Sequence, residues 1–253
     1  MKNMLAAIWS ESLKVLRSQV FWLTFIFIAI MPIMFGLMGF IQKNPELAYS
    51  IGSMGSGVTL NGIVDWTSYL GKLYQSVAGG GMIGFAFVAS WIFGREYTDR
   101  TIKDLLALPI SRSWIVLSKF IVMFIWYILL SLFMFLIGLI VGRVINLDGL
   151  SVEILMPGFY RFSVTAIITM IISTPAAFLA NYSRGYSVPI GFAILTVIHF
   201  IGLVGLMPYY PWTFPGLYQH AGHLITASWI ILGFTGVLGL LGTFSWWRYS
   251  AQT

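Results

Sequence analysis

Six long apolar runs constrain this chain more strongly than any other feature of its sequence. A helix needs about 20 predominantly apolar residues to cross the hydrocarbon core of a bilayer. Hydrophobic residues make up 58% of the 253-residue chain and charged residues only 9%, so lipid is the solvent that suits most of it. The sequence therefore predicts a single all-α transmembrane domain over 1–253, with six spans near 20–41, 73–94, 114–141, 162–181, 187–206 and 225–247.

The basic residues predict how these spans are oriented. Cytoplasmic loops of membrane proteins carry an excess of Lys and Arg. A cytoplasmic N-terminus places ten of the 14 basic residues on the inner face, so both termini are predicted to be cytoplasmic. The net charge of +6 is then explained by topology, and we expect membrane lipid rather than nucleic acid around the chain. The four basic residues left on the outer face are Lys43, Lys72, Arg143 and Arg161.

The sequence lacks the residues that several kinds of chemistry require. The chain has no cysteine and no G-x-x-x-x-G-K-[ST] motif, so we expect neither a thiolate metal site nor a P-loop. The predicted spans carry no charge at depth, with Lys119 near an inner end, which argues against a proton-driven carrier. His220 and His223 have no carboxylate nearby in the sequence. The sequence therefore predicts no metal site, no enzyme activity and no cofactor on this chain.

Residues 1–19 predict an amphipathic helix ahead of the first span. Apolar residues recur at helical spacing on one side, and polar residues take the other. Such a helix lies flat in the inner membrane interface, either as a topological anchor or as a mobile elbow. The apolar side comprises Leu5, Ile8, Trp9, Leu13 and Leu16, and the polar side Ser10, Glu11, Lys14 and Arg17.

The segment 95–112 is the densest charge cluster of the chain and separates the second and third predicted spans. Thr101 is placed to cap a short helix, which Pro109 ends. The segment has to lie in water on the inner face. There it either docks a partner or serves as a surface connector without one.

Polar and proline-rich stretches in the second half of the chain supply further candidates. Hydroxyl residues in the fourth span either face a polar cavity or bond the backbone near Pro175. The loop 207–224 has three prolines and no acidic or basic residue, so it is predicted to re-enter the outer leaflet as broken helices. It shapes an exit route or seals the outer face. The substrate-path candidates are Thr165, Thr169, Ser173 and His199, and the outer-gate candidates are Pro211, Trp212 and Pro215.

Regularly spaced glycines predict close helix contacts, either within one chain or at a dimer face. They are Gly80 and Gly84, Gly138 and Gly142, and the run Gly233, Gly236, Gly239 and Gly242.

The layout as a whole resembles a known family. Six spans, an N-terminal elbow and the pattern Glu96…Thr101…Leu105-Leu106…Pro109-Ile110-Ser111-Arg112…Lys119 resemble the short permeases of type-2 ABC exporters. The loop Pro211-Trp212…Pro215 before the last span is also similar to theirs. Within that family, the chain looks most like the bacitracin- and lantibiotic-resistance permeases of Gram-positive bacteria.

The resemblance implies a working unit of two permeases, as a homodimer or a paralogous heterodimer, with two ATP-binding subunits in a bacterial plasma membrane. ATP and Mg would be bound by those partner subunits. A coupling helix from about Thr98 to Leu108 would sit in a groove of the partner, and Arg100 stands where many relatives have glycine. The implied docking residues are Glu96, Thr98, Asp99, Arg100, Thr101, Ile102, Leu105, Leu106 and Arg112.

The function implied is ATP-driven export of an amphipathic compound, a peptide antibiotic or a lipid-like molecule, giving resistance or immunity. Two alternatives belong to other classes. One is a self-sufficient secondary carrier or channel, and the other is a membrane sensor or scaffold that transports nothing. The sequence does not identify the cargo.

Overall fold

The computed structural model describes residues 2–44, 63, 65–102, 105, 110–203 and 208–249, with the backbone alone for 2–3 and 198–203. Every regular element in these ranges is helical. The elements are α1 (Lys2–Leu16), α2 (Gln19–Lys43), α3 (Trp66–Gln75), a π-helical turn (Ser76–Gly80), α4 (Gly81–Thr98), α5 (Arg112–Val144), α6 (Val152–Ile172), α7 (Thr174–Tyr182), α8 (Ser187–Leu203), a 3-10 turn (Pro211–Thr213), α9 (Phe214–Ala221) and α10 (Thr226–Tyr249).

Five helical stretches among the described residues are long and apolar enough to cross a membrane. The structure therefore confirms an all-helical, multi-pass membrane domain. Helix α8 occupies the fifth predicted span but has only 17 residues, so the six-span count stays a prediction. The five stretches are Gln19–Lys43, Trp66–Thr98, Arg112–Val144, Val152–Tyr182 and Thr226–Tyr249.

The second stretch forms the centre of the fold. It starts at Trp66, seven residues earlier than the sequence predicts, because Asp65 and Ser68 form a capping box there. It continues through the π-helical turn into α4 and is the most buried of the five stretches. Helices α2 and α10 are the least buried, so their apolar outer faces are left for lipid or a second chain.

Two groups of glycines bring helices of the same chain into close contact. A Cβ at Gly138 would lie 2.5 Å from the Leu73 side chain, and one at Gly142 would lie 2.6 Å from Trp66. On α10, a Cβ at Gly239 would lie 2.6 Å from the Thr174 hydroxyl. Within-chain packing is therefore confirmed for these three glycines.

Candidate functional site

Lys119 on α5 lies at the centre of a buried ionic cluster. The side chain is fully buried. Its ammonium donates to Glu96 Oε1 at 3.0 Å, to Glu11 Oε2 at 3.1 Å and to the Ile92 carbonyl at 3.2 Å. These three acceptors use all three N–H groups of the ammonium. Because a buried charge is tolerated only when it is paired and hydrogen-bonded, Lys119 holds α1, α4 and α5 together.

Lys14 on α1 completes the cluster. Its ammonium lies 2.8 Å from Glu11 Oε1 and 3.0 Å from Glu96 Oε1, so each carboxylate contacts both lysines. Burial alone would raise the pKa of Glu11, but the two ammonium groups hold that pKa below its ordinary value. Burial would likewise lower the pKa of Lys14, but Glu11 and Glu96 hold it above the ordinary value. Two positive and two negative charges therefore balance in the cluster.

Thr101 joins this cluster to the segment 95–112. Its hydroxyl donates to Glu96 Oε2 at 2.6 Å, and its amide donates to the Glu96 carbonyl at 3.0 Å. The Thr101 carbonyl then accepts from the amide of Leu105 at 3.0 Å, which forms one helical turn. Ile102 and Leu105 pack partly against the core. The start of the predicted docking segment is thus bonded to the carboxylate that α1 and α5 share.

Helix α1 turns Glu11 and Lys14 toward α4 and α5, which the sequence does not predict, while Arg17 stays exposed. Glu11 and Val15 are buried, while Leu5 and Trp9 are 64% and 68% exposed. The polar side was expected to face water. The physical reason for the difference is that Lys119 and Glu96 supply internal partners, which leaves the apolar side of α1 free to face lipid.

Arg100 adopts the left-handed backbone conformation, with φ of 57°. Its amide bonds the Tyr97 carbonyl at 3.2 Å while that of Thr101 bonds Glu96, the hydrogen-bond pattern of a Schellman helix end. Glycine favours this conformation. The turn after α4 thus forms with an arginine in the position that glycine favours.

The structure separates the predicted docking residues into three groups. Thr98, Asp99, Arg100 and Thr101 are exposed at the end of α4. Glu96 is buried with internal partners, and Arg112 points to the Trp247 and Arg248 carbonyls at the end of α10, at 3.5 and 3.4 Å. Leu106 lies outside the described residues. The exposed docking candidates are therefore four consecutive residues, and internally bonded Glu96 and Arg112 lie on either side of them.

The hydroxyl groups of the fourth predicted span bond their own helix. Thr165 donates to the Arg161 carbonyl at 2.8 Å, Thr169 to Thr165 at 2.8 Å, and Ser173 to Thr169 at 2.7 Å. All three residues are buried. Of the two alternatives for these residues, the contacts favour local backbone bonding. The fourth substrate-path candidate, His199, has a side chain that lies outside the described ones.

The outer-gate candidates lie in two short helical elements, and re-entry of this loop into the outer leaflet stays a prediction. Pro211 starts the 3-10 turn, and Pro215 is buried in the first turn of α9. Trp212 packs edge-to-face on Phe192 with ring centroids 5.3 Å apart. Trp212 and Ser173 line one cavity of about 10 Å³, which is room for a single water molecule. The fold thus brings one outer-gate candidate and one substrate-path candidate together.

In the described ranges there is no group of three or more His, Cys, Asp or Glu residues that could hold a metal ion.

The fold and the site define a multi-pass helical membrane protein with a charged segment and a buried ionic cluster at the end of α4. Residues 7–201 match the model of the ABC-2 family transporter protein, and this stretch contains the whole ionic cluster. The chain therefore belongs to the ABC-2 family of transporter proteins. Members of this family are membrane transport subunits.

A curated relative agrees with the family. The bacitracin transport permease protein of Bacillus licheniformis is 27% identical over 136 residues, which is 51% of this chain. The matched region covers 63% of that permease. The resemblance to bacitracin permeases that the sequence indicates is therefore confirmed.

The ionic cluster is the feature that sequence reasoning missed. Helical spacing assigns Glu11 and Lys14 to the polar side of an interfacial helix, and the family resemblance assigns Glu96 to the docking residues, so the sequence does not bring the three together. A signal was present: Lys119 lies within a long apolar run, and such a lysine needs an acidic partner.

Proposed function

We propose that this chain is the permease subunit of an ATP-driven exporter that moves an amphipathic compound outward, giving resistance or immunity. The cargo class is a peptide antibiotic or a lipid-like molecule. The observation that carries the proposal is the hydrogen bond from Thr101 to Glu96, because it connects the docking segment of an ABC-2 family member to three of its helices. The bacitracin transport permease as a relative supports this cargo class.

The segment 95–112 is the coupling element in this proposal, and it docks in a groove of the ATP-binding subunit. Thr98, Asp99, Arg100 and Thr101 present an exposed surface for that contact. ATP and Mg are held by the partner. The chain crosses the plasma membrane of a bacterial cell six times, with α8 as the fifth span and both termini in the cytoplasm.

Force from the partner passes through the ionic cluster. When the docking segment moves, Thr101 moves with it. The Glu96 carboxylate follows because it accepts the hydrogen bond of the Thr101 hydroxyl. Separating this carboxylate from Lys119 would leave buried charges unpaired, at a cost of roughly 3–5 kcal/mol. Helices α1, α4 and α5 are therefore expected to move as a unit. This favours the interpretation of α1 as a moving elbow over that of a static anchor.

Two permease chains with two ATP-binding subunits form the transporter. The cavity shared by Ser173 and Trp212 is too small for a peptide or lipid, which supports a route that opens between two chains or after a conformational change. Outward-facing apolar residues on α2 and α10 offer surface for the second permease, among them Ile26, Ile30, Phe234 and Leu241.

Reconstituted transport tests this proposal. The chain is purified with its ATP-binding subunit, placed in liposomes and supplied with candidate peptide antibiotics and ATP. We expect cargo movement that requires both the partner and ATP hydrolysis. Cargo movement by the chain alone under an ion gradient would establish the secondary carrier instead. Loss of signalling without any efflux defect in cells would establish the sensor.

A further inference from the structure

A basic groove lies between α1, the start of α2 and the end of α4. Its cavity volume is about 480 Å³, and it opens to the outside beside the ionic cluster. Three cationic side chains and two hydroxyl groups line it, together with one indole ring. The lining residues are Trp9, Ser10, Lys14, Arg17, Ser18 and Arg95, with Leu13 at the base.

The two arginines of this groove have N–H donors without an acceptor among the described residues. Arg95 uses Nε to bond Asp99 at 3.0 Å, but its Nη1 is buried and has no partner among the described residues. Arg17 is exposed and has no acidic partner in the ranges that the structure describes. The Arg17 guanidinium is therefore free to bind an acceptor that enters the groove.

The chemistry of the lining selects a phosphate group. Guanidinium groups bind phosphate through parallel N–H donors, and ammonium groups add charge. Ser18, which lines the groove, is the N-cap of α2, a 25-residue helix. Helix N-termini of this kind favour anions. Two guanidinium groups, one ammonium and a helix N-terminus therefore converge on one cavity.

The surroundings of the groove place it at a membrane surface. Trp9 and Trp22 are both more than 60% exposed on the flanking helices, and Leu5 and Leu16 extend this apolar rim. Indole rings of this kind sit at the headgroup level of bilayers. Basic pockets at the cytoplasmic ends of helices bind anionic headgroups.

We infer that this groove binds the phosphate of an anionic phospholipid headgroup, with Arg17 and Arg95 as its main ligands. A lipid bound there also lies next to Lys14, whose ammonium bonds Glu96 at 3.0 Å. A bound headgroup thus lies next to the ionic cluster that connects α1 with the docking segment. The inference requires the chain to be in a membrane, and it does not depend on the identity of the cargo.

Lipid retention by the purified full-length chain tests the inference. Native mass spectrometry in mixed phosphatidylglycerol and phosphatidylcholine compares the wild type with Arg17→Gln, Arg17→Lys and Arg143→Gln. Arg143 is an exposed arginine at the other end of α5 and serves as the matched control. We expect Arg17→Gln to weaken phosphatidylglycerol binding about fivefold, since one basic residue near an anionic surface contributes on this scale. Arg143→Gln should retain near-wild-type binding, and Arg17→Lys should bind between the wild type and Arg17→Gln, because an ammonium keeps the charge but loses the parallel N–H donors.

Three results would overturn the inference. Equal lipid retention by Arg17→Gln and Arg143→Gln would remove Arg17 from the site. Glycerol phosphate that binds as tightly as phosphatidylglycerol would indicate a site for a soluble phosphate compound. An Arg17→Gln chain that loses its ATP-binding subunit but keeps its lipid would assign the groove to a protein contact. Each result can be obtained whether or not the proposed export activity is found.

Discussion

Lys119 and Glu96 form a buried ion pair, with the Lys119 ammonium 3.0 Å from Glu96 Oε1. The two residues lie on adjacent helices, and Glu96 stands five residues before Thr101. This pair connects the membrane domain to the segment that we propose as the coupling element. Its geometry leads to the first two predictions.

Replacement of Lys119 by methionine should destabilise the protein. The change leaves Glu11 and Glu96 with only Lys14 as a cationic partner, and removal of one member of a buried pair costs about 3–5 kcal/mol. Thermal unfolding of the purified chain measures the effect. Lys119→Met combined with Glu96→Gln restores the charge balance, so the double variant should be more stable than the sum of the two single losses predicts. Strict additivity would contradict the pairing.

Replacement of Thr101 by valine should uncouple transport from ATP hydrolysis. Thr101→Val removes the hydroxyl that bonds Glu96 Oε2, an interaction with a charged group worth roughly 1.5–3 kcal/mol. We expect the ratio of cargo moved to ATP hydrolysed to fall several-fold in the reconstituted complex. Thr243→Val is the control, because Thr243 is buried on α10 outside the docking segment and its hydroxyl bonds the Gly239 carbonyl of its own helix. Similar ratios in the two variants would argue against transmission through Thr101.

Replacement of Arg100 by glycine should stabilise the protein. A side chain in the left-handed conformation costs about 1–2 kcal/mol, and glycine at the end of a helix avoids most of this cost. Arg100→Gly should therefore raise the melting temperature by a few degrees, on the scale of roughly 2–4 °C per kcal/mol for a chain of this size. Arg143→Gly, inside α5, should lower it. A lower melting temperature for Arg100→Gly would show that the arginine side chain makes a compensating contact.

Acid should weaken the attachment of α1. The folded-state pKa of Glu11 is lower than its ordinary value of 4.5, so its contribution to stability is complete above that value. The contribution is lost as the pH falls through the folded-state pKa. The melting-temperature difference between the wild type and Glu11→Gln should thus be constant from about pH 6 to 8 and shrink below pH 4.5. A difference that persists unchanged at pH 3 would exclude an ionised Glu11 in the cluster.

The sequence predicts the membrane helices well because bilayer thickness sets their length. The predicted span 114–141 falls within Arg112–Val144, and 225–247 matches Thr226–Tyr249 within two residues. The start of the second stretch is less predictable, because the long apolar run begins near residue 73 whereas the capping box at Asp65 starts the helix at Trp66.

The ionic cluster is harder to predict because its members are far apart in sequence. Glu11 and Lys119 are separated by 108 residues, and Lys14 and Glu96 by 82. Helical periodicity assigns Glu11 to the polar side of α1 correctly, but it cannot indicate whether that side meets water or another helix. A lysine inside an apolar run needs a carboxylate partner. This rule limits the possible partners of Lys119 to the few acidic residues predicted at the same end of the spans.

The most direct test of the central claim is labelling of Thr98→Cys, since the chain has no native cysteine. A membrane-impermeant maleimide is applied to intact cells and to inside-out vesicles, with and without the ATP-binding subunit. The account predicts labelling only in inside-out vesicles and protection when the subunit is bound. Labelling from outside intact cells, or labelling that the bound subunit leaves unchanged, would contradict a cytoplasmic docking segment that receives force from a partner.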